Sequence, residues 1–248
     1  MKAKNSEVKR PPMSKHYFST LFIVMITFVC SASSVGMETD QLLASIKDKI
    51  PPREHGEGHY DQLIIRGAYM IDGSGAPATG PVDVVVEKNR IVEIRTVGTP
   101  GIPIDPKSRP QIMNKKNLKV REIDAQGKYL LPGFVDSHTH IHSPSHGQKV
   151  SADYIFKLWL GHGITSTREV FGLDGESRVL ALKELSDKNA ITAPRITAFP
   201  YFAMPVDGDK NLPSISSADD ARKRVRHLKR IGADGIKFIG APEEILWA

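Results

Sequence analysis

Two histidines one residue apart, His138 and His140, close the segment Pro132-Gly133-Phe134-Val135-Asp136-Ser137-His138-Thr139-His140. In an extended chain, side chains at i and i+2 project to the same side. The two imidazoles are then close enough to share one divalent metal ion, which can polarise a carbonyl or activate a water. The blander alternative is a pair of polar residues at a strand end, hydrogen-bonded to neighbouring loops. The context favours ligation: Phe134 and Val135 are an apolar run that seats a buried strand, and Pro132-Gly133 marks its start.

A second chemical group lies in Gly232-Ala233-Asp234-Gly235-Ile236-Lys237-Phe238-Ile239. Ile236 and Phe238 share one face of a strand, so Lys237 points to the other. A lysine buried inside a sheet is costly and needs a reason. It can be a Schiff-base amine with a pKa lowered by desolvation. It can also extend to the strand end and pair with a carboxylate such as Asp136. Arg168, or Glu169, ends another strand and either contacts substrate or forms an ion pair. His142 and His146, and the pair His55 and His59, read as solvated loop residues.

The elements that must position these groups alternate in type. Residues 63–66, 68–71, 82–87 and 91–94 read as short strands separated by Asp72-Gly73-Ser74-Gly75 and Lys88-Asn89-Arg90 turns, an antiparallel, hairpin-rich module. Residues 99–117 are a Pro- and Lys-rich excursion, and 120–124 and 129–131 return to β structure. After His140 the pattern becomes strand–helix–strand. Ser151 caps a helix over 152–161, strands follow at 164–169 and 195–199, and Val179, Leu180, Leu182 and Leu185 mark one face of a helix over 176–188. Ser217 opens a helix with Asp219 and Asp220 in its first turn and basic residues at its end, which suits the helix dipole. Its many cations lack interleaved aromatics and read as a solvated face, not a nucleic-acid or membrane surface.

The stretch from Leu130 to His140, with its Leu-Pro-Gly-Phe-Val-Asp-Ser-His-Thr-His wording, resembles the first barrel strand of the metal-dependent amidohydrolase superfamily, in particular its imidazolonepropionase-like and prolidase-like branch. The resemblance extends from about residue 60 to 248. It implies a mixed fold class, α/β plus all-β. A small β-sandwich over 60–131 precedes the N-terminal part of a TIM-like (β/α)8 barrel over 132–248, with about four βα units. It further implies His138 and His140 as ligands of one or two divalent metals, most naturally zinc. Lys237 then gains a third reading, a carboxylated lysine whose carbamate bridges two metals. The implied reaction is hydrolysis of a carbon–nitrogen bond in a small amide, cyclic amide or dipeptide by metal-bound hydroxide, with Arg168 a substrate contact. The two further histidines and the proton-shuttling aspartate of that family have no counterpart here. The chain therefore reads as incomplete and inactive alone, its catalytic acid–base group unknown. The alternative is a non-catalytic half-barrel that binds or scaffolds, for instance as a homo-oligomer.

Composition is consistent with a soluble globular domain: 248 residues, 40% hydrophobic and 25% charged. The net charge of +6 is concentrated at the start, where Lys2, Lys4, Lys9, Arg10 and Lys15 face only Glu7. The rest carries little excess, which argues against nucleic-acid binding. Residues 1–32 read as a cleaved secretory signal: a basic region, a 14-residue mostly apolar stretch from Tyr17 to Cys30, then small residues at Ser31-Ala32-Ser33-Ser34. A membrane anchor would need about 20 apolar residues. Export to a secreted or periplasmic location follows, with residues 33–59 as a linker. Cys30 is the sole cysteine, so disulfides cannot hold the folded part together.

Overall fold

The computed structural model describes residues 39–46, 50–53, 59–113, 116–141, 150–170, 172, 175–202, 215–239 and 242–247. Two sheets carry the architecture. The first contains β1 (Gln62–Met70), β2 (Thr79–Glu87), β3 (Arg90–Thr96), β4 (Val120–Asp124) and β5 (Tyr129–Leu130), in the order β3-β2-β1-β4, with β5 also on β1. The two short strands expected around Gly67 are one strand. Gly67 takes φ +74 at a bulge, where the register with β2 shifts, and its N–H donates to Asp83. The bulge absorbs the extra residue without ending the strand.

This sheet is mixed, where an antiparallel module was expected. β1 pairs antiparallel with β2 but parallel with β4 and β5. The chain between β3 and β4 returns to the end where β1 starts, and a strand entering there must run alongside β1. Among the described residues this domain is one five-stranded sheet.

The second sheet is parallel and contains β6 (Phe134–Thr139), β7 (Ile164–Glu169) and β8 (Arg195–Ala198), in that order. Helices α2 (Ala152–Gly161) and α3 (Glu176–Asp187) make the crossovers, and α4 (Ala218–Arg230) and α5 (Glu243–Leu246) follow. Both expected caps are present: Ser151 Oγ accepts from Tyr154 N and Ser217 Oγ from Asp220 N. Val179, Leu182 and Leu185 on α3 pack with Ile196 and Ala198 of β8, Phe156 of α2 and Ile141. The fourth strand expected around Lys237 is a single parallel bridge, Tyr201 to Lys237. Lys237 N donates to Pro200 O at 2.9 Å, and its carbonyl accepts from Phe202 N at 2.9 Å.

Two burial patterns differ from expectation. In the span read as a linker, α1 (Thr39–Ser45) packs on α3, and Leu42, Ile46 and Ile50 are buried in the same core. Of the three, Leu42 lies on the helix, while Ile46 and Ile50 follow it in the chain. The strand read as buried is open: Phe134 is 56% exposed and Val135 69%. Among the described residues β6 is an edge strand, so neither side chain is covered by a further neighbour.

Candidate metal and substrate site

Strand registers define which face each residue occupies. Ile196 and Ala198 of β8 face the helical core, and Thr167 and Glu169 pair with them across the ladder. Thr139 pairs with Glu169, so it shares that helix-facing side, as does Ile141 two residues on. The alternate positions, His138, His140, Arg168 and Thr197, share the inner face. The imidazoles of His138 and His140 meet edge to face, with centroids 5.3 Å apart. His138 is exposed and His140 half-buried. The side-chain oxygen of Asp136 accepts the His138 N–H at 3.0 Å, which fixes the strand end.

Lys237 lies on the same inner face. Ile236 packs towards Phe202, Ala221 and Ile245, and the Phe238 ring lies 4.5 Å from that of Phe202, so both are turned to the helices. Lys237 is half-buried, so its amine has partial access to water and the cost foreseen for a buried lysine is reduced. It stands three strand positions from β6, roughly 14 Å along a flat sheet and less on a curved one.

Arg168 stands between them. Its Nε donates to the Ser137 carbonyl at 2.6 Å, and its guanidinium lies over the Phe199 ring at 5.3 Å. The contact to Ser137 is to a carbonyl rather than a carboxylate, and cation–π attraction adds to it. Two glycines permit this layout. A Cβ at Gly133 would meet Thr165 Oγ1 at 2.0 Å, and one at Gly235 would meet the Phe199 ring at 2.1 Å.

Glu169 is not an inner-face residue. It is 1% exposed, on the helix side, and accepts the N–H groups of Ile141 and Gly172. Arg178 of α3, 5% exposed, donates to the Ile141 carbonyl at 2.9 Å. Sequence reasoning left Glu169 as an alternative to Arg168 and missed Arg178. β7 reads Ile-Thr-Ser-Thr-Arg-Glu, with its one apolar residue on the other parity, so no local pattern marked Thr167 and Glu169 as facing the helices.

Among the described residues no three His, Cys, Asp or Glu side chains converge as a metal cluster. The two adjacent imidazoles of His138 and His140 could supply two of the four ligands that a zinc site needs. Lys237 becomes a ligand only if carboxylation makes it an oxygen donor. His55, His142 and His146 lie outside the described residues, as does the expected signal segment. His59 sits beside Asn189, whose Nδ2 is 3.2 Å from His59 Nε2.

No family model matches the chain. Over 91 residues it is 34% identical to a dihydroorotase of Thermoanaerobacter sp. (strain X514), a match spanning 36% of this chain and 16% of that protein. Over 79 residues it is 40% identical to an N-acyl-D-aspartate deacylase of Alcaligenes xylosoxydans xylosoxydans, spanning 32% and 12%. A prolidase solved in complex with N-methylphosphonate-L-proline shares the fold, with TM-score 0.53, 20% identity, and coverage of 71% of this chain and 46% of that one. The chain thus spans less than half the length of these relatives.

Proposed function

We propose that this chain, a relative of the amidohydrolase superfamily by sequence and fold, carries part of a hydrolase for carbon–nitrogen bonds in small amides, cyclic amides or dipeptides. The supporting observation is the His138–His140 pair, edge to face at 5.3 Å on the inner face of a parallel strand's carboxyl end. That end is where barrels of this kind carry their chemistry. A divalent cation there, zinc by its liking for imidazole, would polarise a carbonyl oxygen and lower the pKa of a bound water.

The chain's own groups would do the rest. His138 and His140 hold the cation. Lys237, once carboxylated, supplies an anionic oxygen from across the inner face. Arg168 offers its exposed guanidinium to a substrate carboxylate or carbonyl while its Nε stays on Ser137. Two imidazoles are half of a ligand set, so the 248-residue chain binds metal weakly and is inactive alone. Residues 1–32 direct export to a secreted or periplasmic location and are removed near Ala32; among the described residues no helix is long and apolar enough to cross a membrane.

The test is zinc stoichiometry by calorimetry on the purified chain, with hydrolysis of a hydantoin, an N-acyl amino acid and an Xaa-Pro dipeptide followed in parallel. About one zinc per chain, lost in H138A/H140A, is expected without turnover. Undiminished zinc binding by the double variant would refute the ligand assignment, and metal-dependent turnover would refute inactivity.

A second reading is a non-catalytic scaffold that pairs with another copy. The exposed apolar side chains Phe134, Val135, Phe238 and Ile239 favour it. A dimeric mass by size exclusion with no bound zinc would select it.

A further inference from the structure

The two histidines alternate with two residues that the structure pins. Thr139 lies between them: its hydroxyl donates to the Arg168 carbonyl at 3.1 Å, and its own carbonyl accepts from Val170 N at 3.1 Å. Ile141 follows His140 and is held in three ways. Its side chain is buried in the helical core, its N–H donates to the Glu169 carboxylate, and its carbonyl accepts from Arg178. A buried carboxylate and a buried guanidinium thus grip opposite ends of one residue. Burying charged groups is costly, and a buried carboxylate and a buried guanidinium that both bond the backbone of Ile141 mark its position as one the fold controls. Glu169 also accepts from Gly172 N, so β6 and the segment after β7 are tied to one side chain.

We propose that Glu169 and Arg178 are positioning residues for the metal ligands: from the helix side of the sheet they fix the backbone that aims His140, and with it the pair. This rests on the reading of His138 and His140 as ligands. The groups involved never touch the metal. They act as outer partners do elsewhere, by restricting ligand orientation, an effect typically worth 10–100-fold in metal affinity.

The test uses the full chain and the variants E169Q, R178K and, as control, D83N, which disturbs a buried carboxylate in the other sheet. Cobalt(II) affinity is read from its ligand-field absorption, and the imidazole proton resonances of His138 and His140 are recorded without metal. The expected result is a 10–100-fold weaker affinity and broadened or doubled His140 resonances in E169Q. R178K, a conservative change at the other end of the grip, moves both readouts in the same direction by less. D83N lowers the unfolding midpoint yet leaves affinity within about twofold. Sharp, unshifted His140 resonances in both E169Q and R178K, with affinity unchanged, overturn the proposal. If the wild-type chain takes no cobalt, the ligand reading fails, while the metal-free resonances still decide whether Glu169 and Arg178 hold His140.

Discussion

Arg109 grips Asp83 in a two-pronged fork, Nε to Oδ2 at 2.9 Å and Nη2 to Oδ1 at 2.7 Å. Asp83 is fully buried, and Arg66 Nη1 at 3.0 Å and Gly67 N at 2.8 Å complete its shell. Burial alone would push its carboxyl up, but the hydrogen bonds from Arg109 and Arg66 outweigh that and hold it below the ordinary carboxylate range. Removing the carboxylate breaks the Arg109 fork and leaves the Gly67 N–H without its acceptor, while Arg66 keeps Glu122 and the Pro110 carbonyl, so D83A should cost about 3 kcal/mol, read from urea unfolding.

The same shift sets a pH dependence. Because the folded pKa is depressed, the unfolded state binds the proton first. The stabilisation is complete above about pH 5 and is lost as pH falls through the folded value. The gap between wild type and D83A should therefore narrow below about pH 4. A gap that stays constant to acid pH would contradict the assignment.

Glu176 clasps α3 to α4, accepting from Arg224 at 2.7 Å and sharing a 2.6 Å contact with His227 Nε2. Burial pushes its carboxyl up, but the hydrogen bonds from Arg224 and His227 outweigh that and leave it below the ordinary carboxylate range. E176Q should lose about 2 kcal/mol at neutral pH, with hydrogen exchange rising first in α4. Uniform loss across all helices would argue against a local clasp.

Gly133 admits no side chain because Thr165 fills its place, with Oγ1, Cγ2 and Cβ at 2.0, 2.6 and 2.8 Å from a built Cβ. G133A should destabilise by about 1–3 kcal/mol through overpacking. The double variant G133A/T165A removes the first two contacts and leaves the third, so it should recover only part of the loss. No recovery at all would place the strain elsewhere.

Leu42 tests whether the segment before the first sheet belongs to the fold. It is 3% exposed in the core beside α3, so L42A should cost about 3 kcal/mol. A linker residue would show no measurable change in the thermal midpoint.

What was legible followed from local rules. Period 3.6 in Val179, Leu182 and Leu185 set the face of α3, Ser151 and Ser217 announced their helices, and period two put His138 and His140 together. The illegible parts depended on partners distant in sequence. Nothing near Val120 says that it will pair parallel with Gln62, and nothing near Gly67 says that Asp83 will hold a bulge there. Leu42, Ile46 and Ile50 were spaced for burial but stood in a polar, proline-interrupted stretch, which hid their docking. Glu169 was legible as a charged strand residue. Its grip on Ile141 was not, because periodicity assigns a face and leaves open which backbone group comes to meet it.

The row formed by the Ser137 carbonyl, Arg168, Phe199 and Gly235 runs across the strands, perpendicular to the chain. Each link spans the gap to the next strand, and the last stops two residues short of Lys237. The main-chain ladder sets the spacing of these strands, and the row of side chains fills the inner face between the histidine pair and the lysine. Exchange Phe199 for a narrower side chain and that filling is lost: Arg168 gives up the ring it lies over, while Lys237 stays tied through its main chain to Pro200 and Phe202.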